Sequence, residues 1–363
     1  MDKIGDKISV RQFFIIYVIG VAALIIRVLP RYTSIFAKEG TWIASLVAAL
    51  PMFLLIYILY KMMRKGKDES LIESFERILG KTGSKIVLLI YLIACIMFLT
   101  FRIRYFAEKC MTSIFTNVQV EFFVITVLVL VYLITKNNLQ AFARFTEFIW
   151  IPVLLFVAFV LFICIPDIQL ENIYPVTIYD TDNILKGILP IMAVYVYLPC
   201  MLFLGDSVNG KEKFFKTGIR YITIIALLGA IITFTTVGIF GADLSQDLTQ
   251  PYFTALKNIE LFKAIERIEA LAITFWIVTD IILIVILVYI VTTLIKRIFN
   301  MPSRKIFVVP VLFLEYVLSI YLANNVFELE YYSRGIGAVI YIAMGMLVPI
   351  LIYVIGKFRK VVD

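Results

Sequence analysis

The chain has 363 residues, of which 62% are hydrophobic and 17% are charged, and its formal net charge is +8. An ordinary soluble domain has roughly 45–50% apolar and about 25% charged residues, so this composition excludes that class and indicates a protein solvated by lipid. The positive charge lies in short connections between apolar runs, which is typical of membrane topology and argues against a nucleic-acid-binding face.

Apolar runs long enough to cross a bilayer as helices recur along the whole chain, since roughly 20 residues span its hydrocarbon core. They predict an all-α polytopic membrane protein with ten spans, at approximately residues 10–36, 40–62, 84–112, 120–135, 145–165, 184–207, 216–241, 265–297, 306–323 and 334–357. Between spans 2 and 3, residues 68–82 carry apolar side chains at helical spacing with charges between them. This pattern predicts an amphipathic helix on the cytoplasmic surface that ends at Gly80 or Gly83.

The distribution of lysine and arginine between alternate connections predicts the orientation. Counted over the predicted loops and termini, 23 of these residues lie on one side of the membrane and 7 on the other. Because short cytoplasmic loops are enriched in Lys and Arg, the basic side is expected to be cytoplasmic. Ten spans then place both termini in the cytoplasm, and residues 1–363 form a single membrane domain.

Helix-weakening residues fall in the first and sixth spans. Gly20 lies near the middle of span 1, and Pro190 and Pro199 bracket eight residues of span 6. Because five is an odd number of crossings, halves at roughly 10–165 and 184–357 would form an inverted repeat, in which paired breaks indicate a midplane ligand site. Glycine and proline are also common in membrane helices for bending and packing, so a structural role stays open.

From these breaks we predict a ligand pocket at the midplane of the membrane. The predicted lining residues belong to the two breaks, with one aromatic side chain from span 8: Ile19, Gly20, Val21, Ala22, Ala193, Val194, Tyr195, Tyr197 and Trp276. Freed N–H groups at a half-helix start would favour an anion, and freed carbonyls would favour an ammonium group or a cation.

Charged residues inside membrane spans are costly and are candidates for function. Arg27 could bind an anionic ligand group or reach the external headgroups. Arg104 and Glu108 are four residues apart and can form a structural ion pair, or one of them could line the access route to the pocket. No cation on its own helix neutralises Asp280, so this residue must be protonated, paired with another span or in contact with water.

We expect no enzyme, metal site or cofactor. The chain has no histidine and no phosphate-binding loop of P-loop spacing. Its four cysteines form no CxxC pair and lie within or at the edges of apolar segments: Cys95, Cys110, Cys164 and Cys200.

Several segments together resemble the spore germination receptor B subunits (GerAB type) of the amino acid/polyamine/organocation transporter superfamily. They cover most of the chain, although each motif is loose: ISVRQFFIIYVIG, EGTWIASLVAALP, LIESFERILGKTGSK, FRIRYFAE, LQAFARFTEF and QPYFTALKNIELFKAIERIEALAITFW. The resemblance implies a LeuT-like five-plus-five inverted repeat with interrupted helices 1 and 6 and a midplane pocket between spans 1, 3, 6 and 8. In this superfamily span 8 lies beside span 1, which suggests an ion- or proton-linked role for Asp280. The chain departs from the superfamily in span 1, where a single glycine in IGVAAL stands in place of two glycines close together.

The resemblance also implies a function. The chain would sense a small germinant, often an amino acid, in the inner membrane of a dormant spore, beside a larger membrane A subunit and a lipoprotein C subunit. A working secondary transporter of amino acids coupled to H⁺ or Na⁺ is the first alternative. A structural scaffold with a vestigial pocket is the second.

Overall fold

The computed structural model describes residues 7–63, 70–113, 118–195, 197–257 and 268–362, and this part of the chain is almost entirely helical. Two short parallel strands, β1 (Ile8–Ser9) and β2 (Val208–Asn209), pair with each other. The α-helices, in chain order, are α1 (Val10–Ala37), α2 (Thr41–Val47), α3 (Ala49–Met63), α4 (Leu71–Ser113), α5 (Val120–Thr135), α6 (Leu139–Cys164), α7 (Thr181–Tyr195), α8 (Leu198–Met201), α9 (Phe214–Asp247), α10 (Pro251–Lys257), α11 (Ile268–Ile298), α12 (Val308–Tyr321), α13 (Val326–Tyr332), α14 (Ala338–Ile342) and α15 (Val348–Phe358).

Long apolar helices make this chain an integral membrane protein. Within the described residues, seven helical stretches are long and apolar enough to cross a bilayer. One of them, Val10–Met63, has 54 residues and contains two of the predicted spans. Helix α5 is apolar but has only 16 residues. The number of ten crossings therefore stays a prediction.

The outer surface of the helices is apolar, as a lipid environment requires. Large side chains on α5, α6 and α12 are exposed, among them Phe122, Phe148, Phe162 and Phe313, the last three by more than two thirds. Clusters of exposed side chains of this kind would aggregate in water, whereas lipid tails solvate them. These faces therefore mark the lipid-facing surface of the bundle.

Helix α1 forms the centre of the bundle and packs against α2, α6, α7, α9 and α11. Its residues from Phe13 to Ile25 are all buried, so it is apolar around its whole circumference, as a helix covered on every side must be. It begins with a capping box, in which the Ser9 hydroxyl accepts from the Gln12 amide nitrogen (3.1 Å) and the Gln12 side chain accepts from the Ser9 amide nitrogen (3.0 Å).

The break predicted at Gly20 is wrong, because α1 continues as one helix through this residue. Gly20 instead lies against α11: a Cβ atom at this position would be 3.2 Å from Leu283 Cδ1 and 3.8 Å from Leu283 Cα. The missing side chain lets the two helix backbones approach closely, which is the usual role of glycine between membrane helices.

Predicted span 6, which consists of α7, α8 and a 3₁₀ helix and is called helix 6 below, is interrupted, in contrast to span 1. Helix α7 ends at Tyr195, α8 starts at Leu198, and the 3₁₀ helix runs from Leu202 to Ser207. Pro190 lies inside α7, and Pro199 lies in the first turn of α8, where a missing N–H group is tolerated. The strand pairing of Ile8 with Val208 holds the segment that follows this break beside the start of α1.

The amphipathic helix between spans 2 and 3 forms the first part of α4. Gly80 has φ +78°, a conformation that favours glycine, and it separates this short helix from the long apolar one that follows. The apolar side chains of the short helix are buried in the protein rather than in lipid: Phe75 packs against Tyr91 and Phe203, with ring centroids 6.2 and 6.1 Å away. Residues 68 and 69 of the predicted helix lie outside the described residues.

The contact between Gly20 and Leu283 yields a prediction about stability. Replacing Gly20 by leucine should destabilise the protein by about 1–3 kcal/mol, because the new side chain overpacks the interface between α1 and α11. Adding Leu283→Ala should recover part of the loss by making room. The measurement is the thermal unfolding midpoint of the purified protein in detergent.

Gly335→Leu is the matched control, since a Cβ atom there meets nothing within 4 Å. A Gly20→Leu variant that unfolds at the wild-type temperature would contradict close packing of these two helices.

Candidate ligand-binding site

A cavity of about 300 Å³ opens between four helical segments. It lies beside the second half of α1, the middle of α4, the end of α7 and the π-helical and α-helical turns that follow α13. Its walls are largely apolar and aromatic, and it is lined by Leu24, Arg27, Val28, Tyr32, Ile35, Phe36, Arg102, Tyr105, Leu189, Pro190, Ala193, Val194, Tyr197, Ser333, Arg334, Ala338, Tyr341 and Ile342. A cavity with apolar walls and a few polar groups is the usual form of a small-molecule site.

Two arginines bring unpaired positive charge to this cavity. Arg27 and Arg102 are only 4% and 5% exposed, and the Nε and Nη1 atoms of both have no hydrogen-bond partner. Both guanidinium groups lie near the ring of Tyr105, with Cζ 4.4 Å (Arg27) and 5.7 Å (Arg102) from its centroid. Arg27 lines the cavity and is buried, so its side chain does not extend to the outer surface of the bundle, and its contact with a ligand stays a prediction.

A third arginine in the wall differs from these two, because its charge is compensated. Arg334 lies 3.4 Å from the carboxylate of Glu330, and the same carboxylate accepts a 2.8 Å hydrogen bond from Arg31. The Arg334 side chain is 39% exposed, and its Cζ lies 4.7 Å from the centroid of the Tyr32 ring.

The break between α7 and α8 borders the cavity, and the backbone carbonyl at the end of α7 already accepts a hydrogen bond from the protein. The Tyr17 hydroxyl donates a 2.5 Å hydrogen bond to the carbonyl of Tyr195, the last residue of α7. The Tyr195 hydroxyl in turn donates to the carbonyl of Ile225 at 3.3 Å. Tyr195 is therefore part of the support of the break and does not line the cavity.

Of the thirteen site residues predicted from the sequence, the structure brings four together in the cavity wall: Arg27, Ala193, Val194 and Tyr197. Ile19, Gly20, Val21 and Ala22 lie further down α1, where they are buried by packing and do not line this cavity. The physical reason is that an unbroken α1 leaves no gap at Gly20 for a ligand to occupy.

The described residues of span 8 also contribute nothing to the cavity wall. Trp276 is 3% exposed and stacks on Phe106 with ring centroids 5.7 Å apart. The Lys109 ammonium group lies 4.1 Å from the Trp276 ring centroid and 3.8 Å from that of Phe253. The fourth wall comes instead from residues 333–342 in predicted span 10.

Asp280 lies behind the cavity in a cluster of buried charges. It is 2% exposed, and neither carboxylate oxygen has a hydrogen-bond partner. It interacts electrostatically with Arg27, Arg102 and Lys109, which are all on other helices. The cations that interact with Asp280 therefore come from other spans.

Arg104 and Glu108 form the ion pair that their spacing predicts. Arg104 Nη2 lies 2.6 Å from Glu108 Oε1, and both side chains are 4% exposed. Neither residue lines the cavity, so this pair stabilises α4 and its surroundings rather than forming part of the binding wall.

The sequence reasoning missed Tyr32, Arg102, Tyr105, Arg334 and Tyr341 as wall residues. Arg102 carries the same signal as Arg27, an arginine inside an apolar span, but its spacing from Arg104 does not tell which of the two faces the cavity. Arg334 and Tyr341 have no comparable signal, because a cation or an aromatic residue near a span end is usually a membrane-interface residue.

The sequence of this chain matches a known protein family. A family model described as "Spore germination protein" matches residues 7–327. YfkT of Bacillus subtilis (strain 168), itself named only provisionally as a spore germination protein, is 21% identical over 333 residues, which are 89% of this chain and 88% of YfkT.

A solved structure has a similar fold. The crystal structure of MhsT in complex with L-phenylalanine, a LeuT-fold protein, matches with a TM-score of 0.64 at 14% identity, covering 94% of this chain and 87% of MhsT. At this identity the likeness is one of fold. Family and fold are those of permeases and transporters rather than of enzymes.

Two arginines two residues apart on α4 allow a matched test of these charges. Arg104→Gln should destabilise the protein by about 3–5 kcal/mol, because it leaves Glu108 buried without its partner. Arg102→Gln removes an equally buried cation that has no hydrogen-bonded carboxylate among the described residues, while Arg27 still acts on Asp280. The unfolding midpoint should therefore stay unchanged or rise. Both midpoints are measured on the ligand-free protein in detergent.

Glu108→Gln serves as the second half of the pair and should destabilise the protein as Arg104→Gln does. A fall of the Arg102→Gln midpoint as large as that of Arg104→Gln would show that Arg102 holds the fold together.

Proposed function

This chain belongs to the spore germination protein family, and we propose that it is the germinant-sensing subunit of a spore germination receptor. Its ligand is a small nutrient, of which an amino acid is the first class to test. The observation that carries this proposal is the cavity of about 300 Å³ whose apolar walls hold two buried guanidinium groups without partners. A purely structural cavity would have no use for such groups, since unpaired buried charge is destabilising.

The proposed setting of the subunit follows from family and charge distribution. The chain crosses the inner membrane of the spore ten times as a five-plus-five inverted repeat, with both termini in the cytoplasm. It acts beside a larger membrane A subunit and a lipoprotein C subunit. The 23-to-7 bias of Lys and Arg supports the orientation.

The cavity position supports a mechanism of sensing. Its wall combines the central helix α1 with α4, the interrupted helix 6 and the segment after α13. A ligand that contacts all four would favour the arrangement of helices in which these contacts are made together. It can shift only those states that it binds unequally, and this shift is the signal passed to the partner subunits.

A secondary amino acid transporter coupled to H⁺ or Na⁺ is the alternative. It is favoured by the fold of MhsT, a protein solved with L-phenylalanine, and by the buried carboxylate of Asp280. Uptake into proteoliposomes that contain this chain alone distinguishes the two. Net flux of a bound ligand supports the transporter, and binding without flux supports the receptor.

A cavity-filling substitution tests the site. Ala193→Trp should abolish binding, because the indole ring would occupy the cavity that Ala193 lines. A thermal-shift screen of amino acids, carboxylates, nucleosides and sugars on the wild-type protein identifies a ligand by the stabilisation it causes. The same ligand should leave the Ala193→Trp midpoint unchanged.

Leu185→Trp is the control on the same helix, since Leu185 is 54% exposed and lies outside the cavity wall. It should respond to the ligand as the wild type does. A ligand that stabilises all three proteins equally binds elsewhere. If no ligand is found with the chain alone or with the A and C subunits assembled, the sensing function is wrong.

A further inference from the structure

The charges in the cavity wall specify the chemical class of the ligand. Every charged residue among the described wall residues is an arginine: Arg27, Arg102 and Arg334. No described aspartate or glutamate lines the cavity, so the wall is cationic and otherwise neutral. A ligand that enters it meets donors for a negative group and no carboxylate for a positive one.

The unpaired state of Arg27 and Arg102 favours an anion in the occupied site. Arg334 has Glu330 as a partner, whereas the Nε and Nη1 atoms of the other two make no hydrogen bond among the described residues. A guanidinium group forms paired, charge-assisted hydrogen bonds with a carboxylate. Both groups lie near the centroid of the Tyr105 ring (4.4 and 5.7 Å) and act on each other electrostatically, so they belong to one part of the wall.

An ammonium group on the ligand meets no carboxylate among the described residues of the same wall. The carbonyl that ends α7 is the obvious acceptor at the helix break, but it already accepts the short hydrogen bond from Tyr17. Asp280 lies outside the wall and acts electrostatically on Arg27 and Arg102. Even a charged Asp280 carboxylate offsets only one of these two guanidinium groups, and a zwitterion would not compensate the remaining positive charge.

We propose that the cavity binds a small organic carboxylate with an apolar body, and that it prefers this anion to the zwitterionic amino acid of the same skeleton. The carboxylate accepts from Arg27 and Arg102, and the apolar body lies against the aliphatic and aromatic wall formed by residues such as Leu24, Val194 and Tyr341. This inference rests on the proposed function and narrows its ligand class.

The test compares ligands that share an apolar side chain and carry a carboxylate, an ammonium group or both. The full chain is placed in nanodiscs of neutral phosphatidylcholine, so that no lipid headgroup supplies a net anion. Binding is measured by calorimetry for 4-methylpentanoate, L-leucine and 3-methylbutylamine, and for 3-phenylpropanoate, L-phenylalanine and 2-phenylethylamine. In at least one series the carboxylate should bind at least about tenfold more tightly than its amino acid, and the amine should not bind.

Substitutions connect this preference to the two arginines. Arg27→Gln and Arg102→Gln should each weaken carboxylate binding by about tenfold or more, and Arg27→Lys should recover part of the loss because it restores the charge without the planar fork. Arg11→Gln is the control: it removes an arginine from the same helix whose side chain is 67% exposed and lies outside the cavity wall. It should bind the carboxylate as the wild type does.

The outcomes separate this inference from the proposed function. An amino acid that binds as tightly as its carboxylate, or more tightly, overturns the anion preference and leaves germinant sensing intact. Carboxylate binding that survives both arginine substitutions also overturns it, as does a screen that finds only sugars or nucleosides. If no compound of any class binds, with or without the partner subunits, the proposed function fails as well.

Discussion

The hydrogen bond from the Tyr17 hydroxyl to the Tyr195 carbonyl connects the two parts of this bundle on which the site depends. Inside an apolar protein, a free backbone carbonyl has no water to bind, so a helix can end there only if the protein provides a donor. Tyr17 is on the central helix α1, and Tyr195 is the last residue of α7. The bond therefore stabilises an interrupted helix 6 and positions its end beside an uninterrupted helix 1.

Burial of charge divides the arginines of α4 into two classes. Arg104 is paired with Glu108 and contributes to the fold, whereas Arg102, two residues away, has no hydrogen-bonded carboxylate among the described residues. Arg27 on α1 resembles Arg102 in that its Nε and Nη1 atoms have no hydrogen-bond partner among the described residues, and both side chains lie near Tyr105. Buried cations without hydrogen-bonded partners lower the stability of the fold. Binding sites commonly lower the stability of the protein that carries them in this way.

Sequence reasoning predicted part of the site and missed the rest for physical reasons that can be named. Proline has a local effect on the backbone, so the break in helix 6 could be predicted from Pro190 and Pro199. Glycine has no such single effect: Gly20 could mark a break or a close helix contact, and the position of Leu283 on α11 decides for the contact. Consequently Ala193, Val194 and Tyr197 line the cavity, and the neighbours of Gly20 do not.

What the sequence by itself determined is the environment and the segments of this protein. Hydrophobic run lengths and the placement of Lys and Arg are local properties, and they predicted a helical membrane protein with charges inside its spans. The family resemblance came from the motifs of several segments. The tertiary structure alone decided which spans face one another. In the structure, residues 333–342 line the cavity together with α1 and α4, whereas Trp276 stacks on Phe106 outside the wall. Arg27 and Arg102 lie near Tyr105, and their Nε and Nη1 atoms have no hydrogen-bond partner among the described residues. These outcomes depend on packing between helices distant in sequence, and no residue pattern within one helix encodes which neighbour will fill or leave empty the space beside it.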